Sequence, residues 1–286
     1  SLIPEYTYLF EPLHYRWFPD AKFYNFKSRT YIPPKKYSKY KYEYLTKCFS
    51  GNITSTNPRY KGNYDLIKKN INSSKLIVKF VRANRFLPWI AYNFEVKTIL
   101  LLIRHPCAVI ESQLRTGTRG YMLLNELFPS KKQIIKEMKN INIFNDKLIE
   151  QVSRINSEEE ILAVIWALDY YIPLYYFEKY NFKKQNIGII SYEEIVQKGI
   201  NEMRKIYKFC DSENINFNKF EKQFNISSMT SKKERHNFLT KWKRNLTDKQ
   251  VDNIKKILGW FNIQFNKTDY NICDFKFPNT LYKIKS

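Results

Sequence analysis

The sequence is short of glycine and proline, and it has no long apolar run. Seven glycines and eleven prolines among 286 residues exclude collagen-like and low-complexity proteins, which need far more of both. Hydrophobic residues make up 43% of the chain and aromatic residues 17%, so the chain can bury a core and wholesale disorder is excluded. Apolar runs such as Thr98 to Ile103 are far shorter than the ~20 residues that a transmembrane helix needs.

Cysteine is also scarce. Cys48, Cys107, Cys210 and Cys273 are far apart, form no CxxC pair and have no histidine pair nearby. Structural zinc sites draw on closely spaced ligands of these types, so we expect no metal site. A chain of this length does not need a disulfide framework, and we therefore expect free thiols in a reducing compartment.

Acidic residues are few relative to basic ones. The chain has 49 lysines and arginines against 27 aspartates and glutamates, which gives a formal net charge of +22. This excess favours an anionic partner, such as a nucleotide, a nucleic acid, an acidic glycan or a membrane surface. A second explanation of the charge stays open. The abundant Lys, Asn, Ile and Tyr all have A/T-rich codons, so an A/T-rich genome, rather than function, would supply most of the positive charge.

One stretch, Pro33 to Tyr44, interleaves lysines with tyrosines. We expect a solvated loop or helix face whose tyrosines pack inward. The alternative is a stacking surface for single-stranded nucleic acid, since such surfaces combine cations with aromatic rings.

Three short apolar runs predict buried strands over Leu76 to Val81, Thr98 to Ile103 and Ile187 to Ile190. Near-continuous runs of branched apolar residues are typical of parallel strands that are covered on both faces. Helical patterns lie between and after the strands; they begin at a Ser157–Glu160 capping box, at Ile200 and at Thr247. Strands that alternate with helices imply an α/β fold with a mostly parallel sheet, which binds ligands at the carboxyl ends of its strands.

The residues after the second predicted strand have the pattern of an anion site. Arg104 lies at the end of the strand, Pro106 suits the first turn of a new helix, and Ser112 lies about two turns into that helix. A guanidinium and the backbone N–H groups at a helix start can together hold a phosphate. Alternatively, Arg104 is a turn residue that pairs with a nearby carboxylate.

Arg104 and Ser112, eight residues apart after an apolar strand, resemble the 3′-phosphate-binding motif of the sulfotransferase family. Tyr8 to His14 resembles the F-E-P-L segment of carbohydrate-type sulfotransferases. Lys79 lies 25 residues before Arg104, close to the spacing of the family's strand lysine, and Ser191 to Val196 resembles its Y-E-D/E-L/I segment. The resemblance runs from about residue 6 to about residue 262. It implies a P-loop-type, three-layer α/β/α fold with a mostly parallel central sheet.

The family transfers a sulfuryl group from 3′-phosphoadenosine 5′-phosphosulfate (PAPS) to a hydroxyl or amine, and its carbohydrate branch implies a glycan acceptor and no metal. The resemblance implies that Arg104 and Ser112 hold the 3′-phosphate and that Tyr192 lies near the adenine, although a tyrosine after a strand can also be core packing. Arg235 would belong to a cofactor-covering loop. Lys79 would stabilise charge on the transferred group, or would simply extend from the strand end into solvent.

Glu11 is the expected general base, because the acceptor hydroxyl must lose its proton as it attacks sulfur. Burial beside Phe10 and Pro12 would raise the pKa of Glu11 toward neutrality. The alternative is that Glu11 pairs with Arg16 or another cation. His14 is the second candidate for the base.

Arg82 and Arg85 follow the first predicted strand and would either bind an acidic acceptor or only cover the surface. We expect residues 1–286 to form a single sulfotransferase-like domain, with residues 113–156 as a helical and loop insertion on the acceptor side.

One family segment has no counterpart in the sequence. The phosphosulfate loop, a P-K/R-S-G-[ST]-[ST] stretch, should precede the F-E-P-L-like segment, but Ser1 to Glu5 resembles only the end of the helix that follows that loop. We therefore expect a longer gene product, of which residues 1–286 are an inactive, N-terminally truncated part. Loss of a strand from inside a parallel sheet leaves unpaired edges, so we expect this part to fold poorly. The enzyme would be cytoplasmic, or lumenal in the Golgi if a preceding segment carries a membrane anchor.

Two other classes of protein stay open. A P-loop nucleotide kinase would share the scaffold, but it needs an acidic Mg²⁺ ligand after a strand, where this chain has Arg104. A basic nucleic-acid-binding protein would account for the net charge and for the Lys/Tyr stretch. Salt-sensitive binding would follow from the charge alone, and we expect no specific nucleic-acid partner.

Overall fold

The computed structural model describes residues 6–26, 29–55, 75–117, 129–180, 182, 186–210, 232–263 and 282–283. It is a mixed α/β protein with parallel strands. The described residues divide into two compact units, the first up to Phe94 and the second from Glu95. The α/β class is thereby confirmed, whereas the three-layer arrangement and the single domain over residues 1–286 stay predictions.

The first unit contains a pair of parallel strands, β1 (Tyr6–Phe10) and β2 (Lys75–Lys79). Phe10 is the register partner of Lys79, so the two strands end together. The other elements of this unit are a 3-10 turn over Asn84–Phe86 and the helices α1 (Pro19–Phe23), α2 (Lys39–Ser50) and α3 (Leu87–Asn93).

Aromatic side chains form much of the core of the first unit. Phe18, Tyr44, Phe86 and Trp89 are fully buried. The Phe26 ring lies 5.3 Å from that of Tyr44 and 5.6 Å from that of Phe86, measured between ring centroids. Tilted contacts of this kind add about 0.5–1.5 kcal/mol each beyond the buried area. Part of the high aromatic content of the sequence is therefore used in this core.

The strands of the first unit differ from the sequence expectation. The apolar runs do not predict β1, in which Thr7 and Leu9 are buried while Tyr8 between them is exposed. The strand expected over Leu76 to Val81 ends at Lys79 instead, because the paired strand β1 also ends there and the chain turns into the Asn84–Phe86 segment.

The tyrosines of the Lys/Tyr stretch do not all pack inward. Tyr44 is fully buried, but Tyr37 and Tyr40 are 74% and 67% exposed. The expectation of inward packing is wrong for these two residues, because α2 begins only at Lys39 and its first turn faces solvent.

The second unit contains a parallel sheet in the order β3 (Thr98–Ile103), β4 (Asn186–Ser191) and β5 (Tyr282–Lys283). The strand predicted over Thr98 to Ile103 is confirmed, and the one predicted over Ile187 to Ile190 lies within β4. Residue Ile103 is the register partner of Ser191, so β3 and β4 also end together.

The helices of the second unit are α4 (Pro106–Gly117), α5 (Lys131–Ile141), α6 (Asp146–Ser153), α7 (Glu158–Lys179), α8 (Tyr192–Lys198), α9 (Ile200–Phe209), α10 (Lys232–Asn245) and α11 (Asp248–Trp260). The predicted helix starts are confirmed: capping boxes join Ser157 to Glu160 and Thr247 to Gln250. Within residues 113–156, the structure describes the end of α4 together with α5 and α6, and the acceptor-side role of this region stays a prediction.

Helix α7 is buried on nearly all sides. The four consecutive residues 162–165 are all buried, and a helix that is apolar all round belongs in a core. Helices α4 and α11 pack against it, and the Asn253 side-chain amide of α11 donates a hydrogen bond to Glu159 Oε1 (2.9 Å). Neither α7 nor any other helix among the described residues is apolar over enough of its length to cross a membrane.

Candidate functional site

Arg104 and Tyr192 meet at the carboxyl ends of two neighbouring strands. Because Ile103 pairs with Ser191, the residues that follow them leave the sheet side by side. The guanidinium carbon of Arg104 lies 4.8 Å from the centre of the Tyr192 ring. This contact brings together two residues that the sequence predicts at a cofactor site.

The backbone around Arg104 is held in place by helix α7. The Trp166 indole N–H donates a hydrogen bond to the Arg104 carbonyl (3.3 Å), and the Tyr170 hydroxyl donates one to the Leu102 carbonyl (3.3 Å). By contrast, Nε of Arg104 is buried and has no hydrogen-bond partner among the described residues. A buried donor without a partner costs free energy. An anion that accepted a hydrogen bond from this guanidinium would remove that cost, which would favour its binding.

Glu193 is a buried carboxylate that fixes the turn after β3. Its Oε1 accepts a hydrogen bond from the His105 backbone N–H (2.9 Å), and its Oε2 accepts one from the Ser191 hydroxyl (3.3 Å). Burial raises the pKa of Glu193, while these hydrogen bonds and the charge of Arg104 oppose the rise without cancelling it. Sequence reasoning missed this role; its signal is a carboxylate two residues after the end of a strand.

His105 and Trp242 form a buried stack that sequence reasoning also missed. Their rings are 4.8 Å apart between centroids and inclined by 13°. Burial and the charge of Lys243 lower the pKa of His105 to about 4, so its imidazole is neutral at pH 7. The stack joins α10 to the turn after β3.

Helix α4 begins at Pro106, directly after this turn, as the sequence predicts. The Val109 N–H donates a hydrogen bond to the His105 carbonyl (3.1 Å). Ser112 lies in the second turn of α4 and is half-buried. Arg104 and Ser112 are therefore parts of one strand–turn–helix segment, as the sequence predicts.

Arg235 lies within helix α10, so the loop expected at this position is a helix from Lys232 onward. Its side chain is outside the part of the chain that the structure describes. Helix α10 is tied to α4 by the Asn245 side-chain amide, which donates to Glu111 Oε1 (2.7 Å). The role of Arg235 in binding a cofactor stays a prediction.

In the first unit, Glu11 and Lys79 lie together at the ends of β1 and β2. The Glu11 N–H donates a hydrogen bond to the Lys79 carbonyl (2.8 Å). Glu11 has a φ of 54°, in the left-handed region that non-glycine residues rarely adopt. Backbone strain of this kind clusters at functional sites, which makes Glu11 a candidate on geometry as well as on sequence.

The Glu11 carboxylate is paired with Arg82. Its Oε2 accepts a hydrogen bond from Arg82 Nη1 at 2.7 Å, and the two side chains are 3% and 18% exposed. Burial raises the pKa of Glu11; the Arg82 guanidinium, the Val81 backbone N–H and the Lys79 charge oppose the rise without cancelling it. The cation that pairs with Glu11 is therefore Arg82 rather than Arg16, while the roles of Glu11 as a base and of Arg82 in acceptor binding stay predictions.

The other predicted residues of this unit lie around the same strand ends. The Lys79 ammonium is 4.8 Å from the centre of the Phe10 ring. His14 donates its backbone N–H to the Glu11 carbonyl (2.9 Å), and its ring stacks on Trp17 with 4.2 Å between centroids. Arg85 is only 2% exposed; it does not cover the surface, and its part in acceptor binding stays a prediction.

Comparison of the chain with protein-family models, curated proteins and solved structures finds no match. Among the described residues, no cluster of three or more His, Cys, Asp or Glu is arranged to hold a metal ion. Cys48, Cys107 and Cys210 are free thiols, and Cys273 lies outside the described residues. The fold and the site together define a mixed α/β protein with an arginine–tyrosine pair and a buried glutamate at strand ends.

Proposed function

We propose that the protein is a sulfotransferase that moves a sulfuryl group from PAPS to a hydroxyl or amine of an acceptor, with a carbohydrate as the acceptor class. The main support is the 4.8 Å contact between the Arg104 guanidinium and the Tyr192 ring at the ends of β3 and β4. A cation just before α4 suits the 3′-phosphate of this donor, and the phenol at the start of α8 is assigned to the adenine. The proposal includes the three-layer P-loop-type arrangement implied by the sequence resemblance.

Arg104 and Ser112 bind the 3′-phosphate in this scheme. Each charge-assisted hydrogen bond contributes about 1.5–3 kcal/mol, and the N-terminus of α4 adds a favourable partial charge. Glu193 acts through the turn: by accepting from the His105 N–H (2.9 Å), it keeps Arg104 positioned. Arg235 would cover the bound donor.

Glu11 and Lys79 perform the transfer in this scheme. The acceptor oxygen attacks sulfur, the bond from sulfur to the 5′-phosphate oxygen breaks, and the acceptor proton passes to the Glu11 carboxylate. Lys79 stabilises the charge on the transferred group. The raised pKa of Glu11 brings the carboxyl closer to the range that suits a base near neutral pH, and His14 is the second candidate for this role.

The proposal also assigns residues to acceptor binding and a compartment to the enzyme. Arg82, which is paired with the Glu11 carboxylate, and Arg85, which lies in the 3-10 segment Asn84–Phe86, are the cations assigned to an acidic acceptor. Free thiols at Cys48, Cys107 and Cys210 favour a reducing compartment, which for this enzyme is the cytoplasm.

Calorimetric titration with 3′,5′-adenosine bisphosphate and with 5′-AMP tests the donor site. The bisphosphate should bind at least tenfold more tightly, because only it offers the 3′-phosphate. Arg104→Ala should weaken bisphosphate binding by about 10- to 100-fold, the equivalent of one or two lost charge-assisted hydrogen bonds, and should leave 5′-AMP binding unchanged.

Arg204→Ala is the matched control, since Arg204 is an exposed arginine on α9, and it should change neither titration. Circular dichroism checks that each variant is folded. Equal binding of the two nucleotides, or an unchanged bisphosphate affinity in folded Arg104→Ala, would overturn the proposal.

A further inference from the structure

The exposed tyrosines of the Lys/Tyr stretch are not used by the proposed sulfotransferase site. Tyr37 and Tyr40 are 74% and 67% exposed. Neither ring contacts another ring among the residues that the structure describes. Large aromatic side chains usually bury their apolar area in a core or at a binding surface. Within the described part of the chain, most of the area of Tyr37 and Tyr40 stays exposed.

The backbone beneath these tyrosines is fixed. The indole N–H of the buried Trp89 donates a hydrogen bond to the Lys36 carbonyl (2.7 Å), and the Asn93 side-chain amide donates one to the Pro34 carbonyl (3.1 Å). Both donors lie on α3, so the stretch that precedes α2 is tied to a helix. A surface that is already ordered loses less entropy when it binds a ligand.

Lysines flank the two tyrosines in the sequence. Lys35, Lys36 and Lys39 are exposed, and the first turn of α2 contains no acidic residue. A cation at a helix N-terminus opposes the helix dipole, and an anion that lies against Lys39 at the start of α2 would offset this effect.

We propose that the surface formed by Lys35, Lys36, Tyr37, Lys39 and Tyr40, the Lys/Tyr surface, binds single-stranded nucleic acid. The lysines would contact successive phosphates, and the tyrosines would each stack on a base. Single strands present free base faces, whereas a duplex hides them in its own stack and an acidic polymer without bases has none. This activity is separate from sulfuryl transfer and does not depend on it.

Fluorescence anisotropy with a labelled 20-nucleotide oligo(dT) measures the interaction. The double variant Tyr37→Leu/Tyr40→Leu removes both rings from exposed positions and should weaken binding at least tenfold, since aromatic stacking is worth a factor of about 5 to 150 per base. Tyr37→Phe/Tyr40→Phe keeps the rings and should bind like the wild type. An abasic oligonucleotide of the same length should bind the wild type no better than oligo(dT) binds the leucine variant.

The charges are tested with the triple variant Lys35→Gln/Lys36→Gln/Lys39→Gln. If the three lysines contact three phosphates of a single strand, the variant should reduce the magnitude of the negative slope of log K against log salt by about 2. The matched control is Lys249→Gln/Lys255→Gln/Lys256→Gln on α11, where three exposed lysines carry the same charge and should leave the slope nearly unchanged. The proposal is overturned if oligo(dT) does not bind, if the abasic strand or heparin binds as tightly as oligo(dT), or if both triple variants lower the slope equally.

Discussion

Glu11 and His105 are buried titratable side chains whose pKa values move in opposite directions for the same reason. Burial disfavours the charged form of each, so it raises the pKa of the Glu11 carboxyl and lowers that of the His105 imidazole. Arg82 offsets part of the cost for Glu11, whereas the nearby charge of Lys243 adds to it for His105. Each residue therefore has a distinct dependence of stability on pH.

Replacing Arg82 by Met should destabilise the protein mainly at neutral pH. Without the guanidinium, the pKa of Glu11 in the folded protein rises further. The variant therefore keeps its stability below about pH 4.5, where Glu11 is protonated in both the folded and the unfolded state, and loses stability as the pH rises through the pKa of Glu11 in the folded protein. We expect a loss of about 3 kcal/mol in the free energy of unfolding at pH 7.5 and a much smaller loss at pH 4.5. Urea denaturation at the two pH values measures both.

Arg16→Met is the control for this prediction. Arg16 is exposed, so its replacement should change stability by no more than about 0.5 kcal/mol. An equal loss in Arg82→Met at both pH values would show that the guanidinium acts through packing and not through the charge of Glu11.

His105 should make the protein less stable in mild acid. Its pKa falls from 6.5 to about 4 on folding, so its contribution to stability is fully present above pH 6.5 and is lost as pH falls through about 4. Relative to His105→Phe, which keeps a ring on Trp242 but does not titrate, the wild type should lose about 3 kcal/mol between pH 7 and pH 4. A difference between the two proteins that stays constant over this range would contradict the prediction.

At the scale of elements, the helix starts are set by contacts between residues three or four positions apart. Ser157 with Glu160 and Thr247 with Gln250 form capping boxes, and both are visible in the sequence because all the interacting groups lie within one turn. The pairing of β1 with β2 joins Tyr6 to Lys75. No local pattern encodes a partner at that distance, and the short aromatic run of β1 contains no apolar stretch of the kind that predicts β3.

In the candidate site, too, some features follow from the local sequence and others from pairing between distant segments. Sequence reasoning predicts that Arg104 and Tyr192 share a sheet edge, because each follows an apolar strand and parallel strands end at one edge. The Arg82–Glu11 and His105–Glu193 hydrogen bonds span 71 and 88 residues. They follow from strand register, which the sequence does not display.

Thr247→Ala should lower the free energy of unfolding by about 1 kcal/mol, the usual worth of a helix N-cap. The Thr247 hydroxyl accepts from the Gln250 N–H (3.3 Å), and Gln250 Oε1 accepts from the Thr247 N–H (2.9 Å). Thr247→Ser keeps an acceptor and should retain most of the stability. Thermal or urea unfolding that fails to separate the Ala and Ser variants would mean that the box does not stabilise α11.

At the scale of the whole molecule, the net charge of +22 makes like-charge repulsion a general cost of folding. Screening should relieve it. Raising NaCl from about 0.1 M to about 1 M shortens the Debye length from about 10 Å to about 3 Å, and we expect the melting temperature to rise by several degrees.

The same salt series near pH 9.6, where the sequence carries no net charge, is the control and should give little or no rise. Scanning calorimetry at both pH values makes the comparison. A rise of equal size at the two pH values would attribute the effect to salting-out rather than to charge repulsion.

The burial of helix α7 has a consequence for the protein while it is being made. Helix α7 is complete at Lys179, but α11, which packs against it and bonds to Glu159, begins only at Asp248. At about 5–20 residues per second of synthesis, the ribosome needs several seconds to add the intervening chain. Once α7 has left the ribosome, the face that α11 will cover stays exposed for an interval of this length, and it is then that the nascent chain most needs a chaperone.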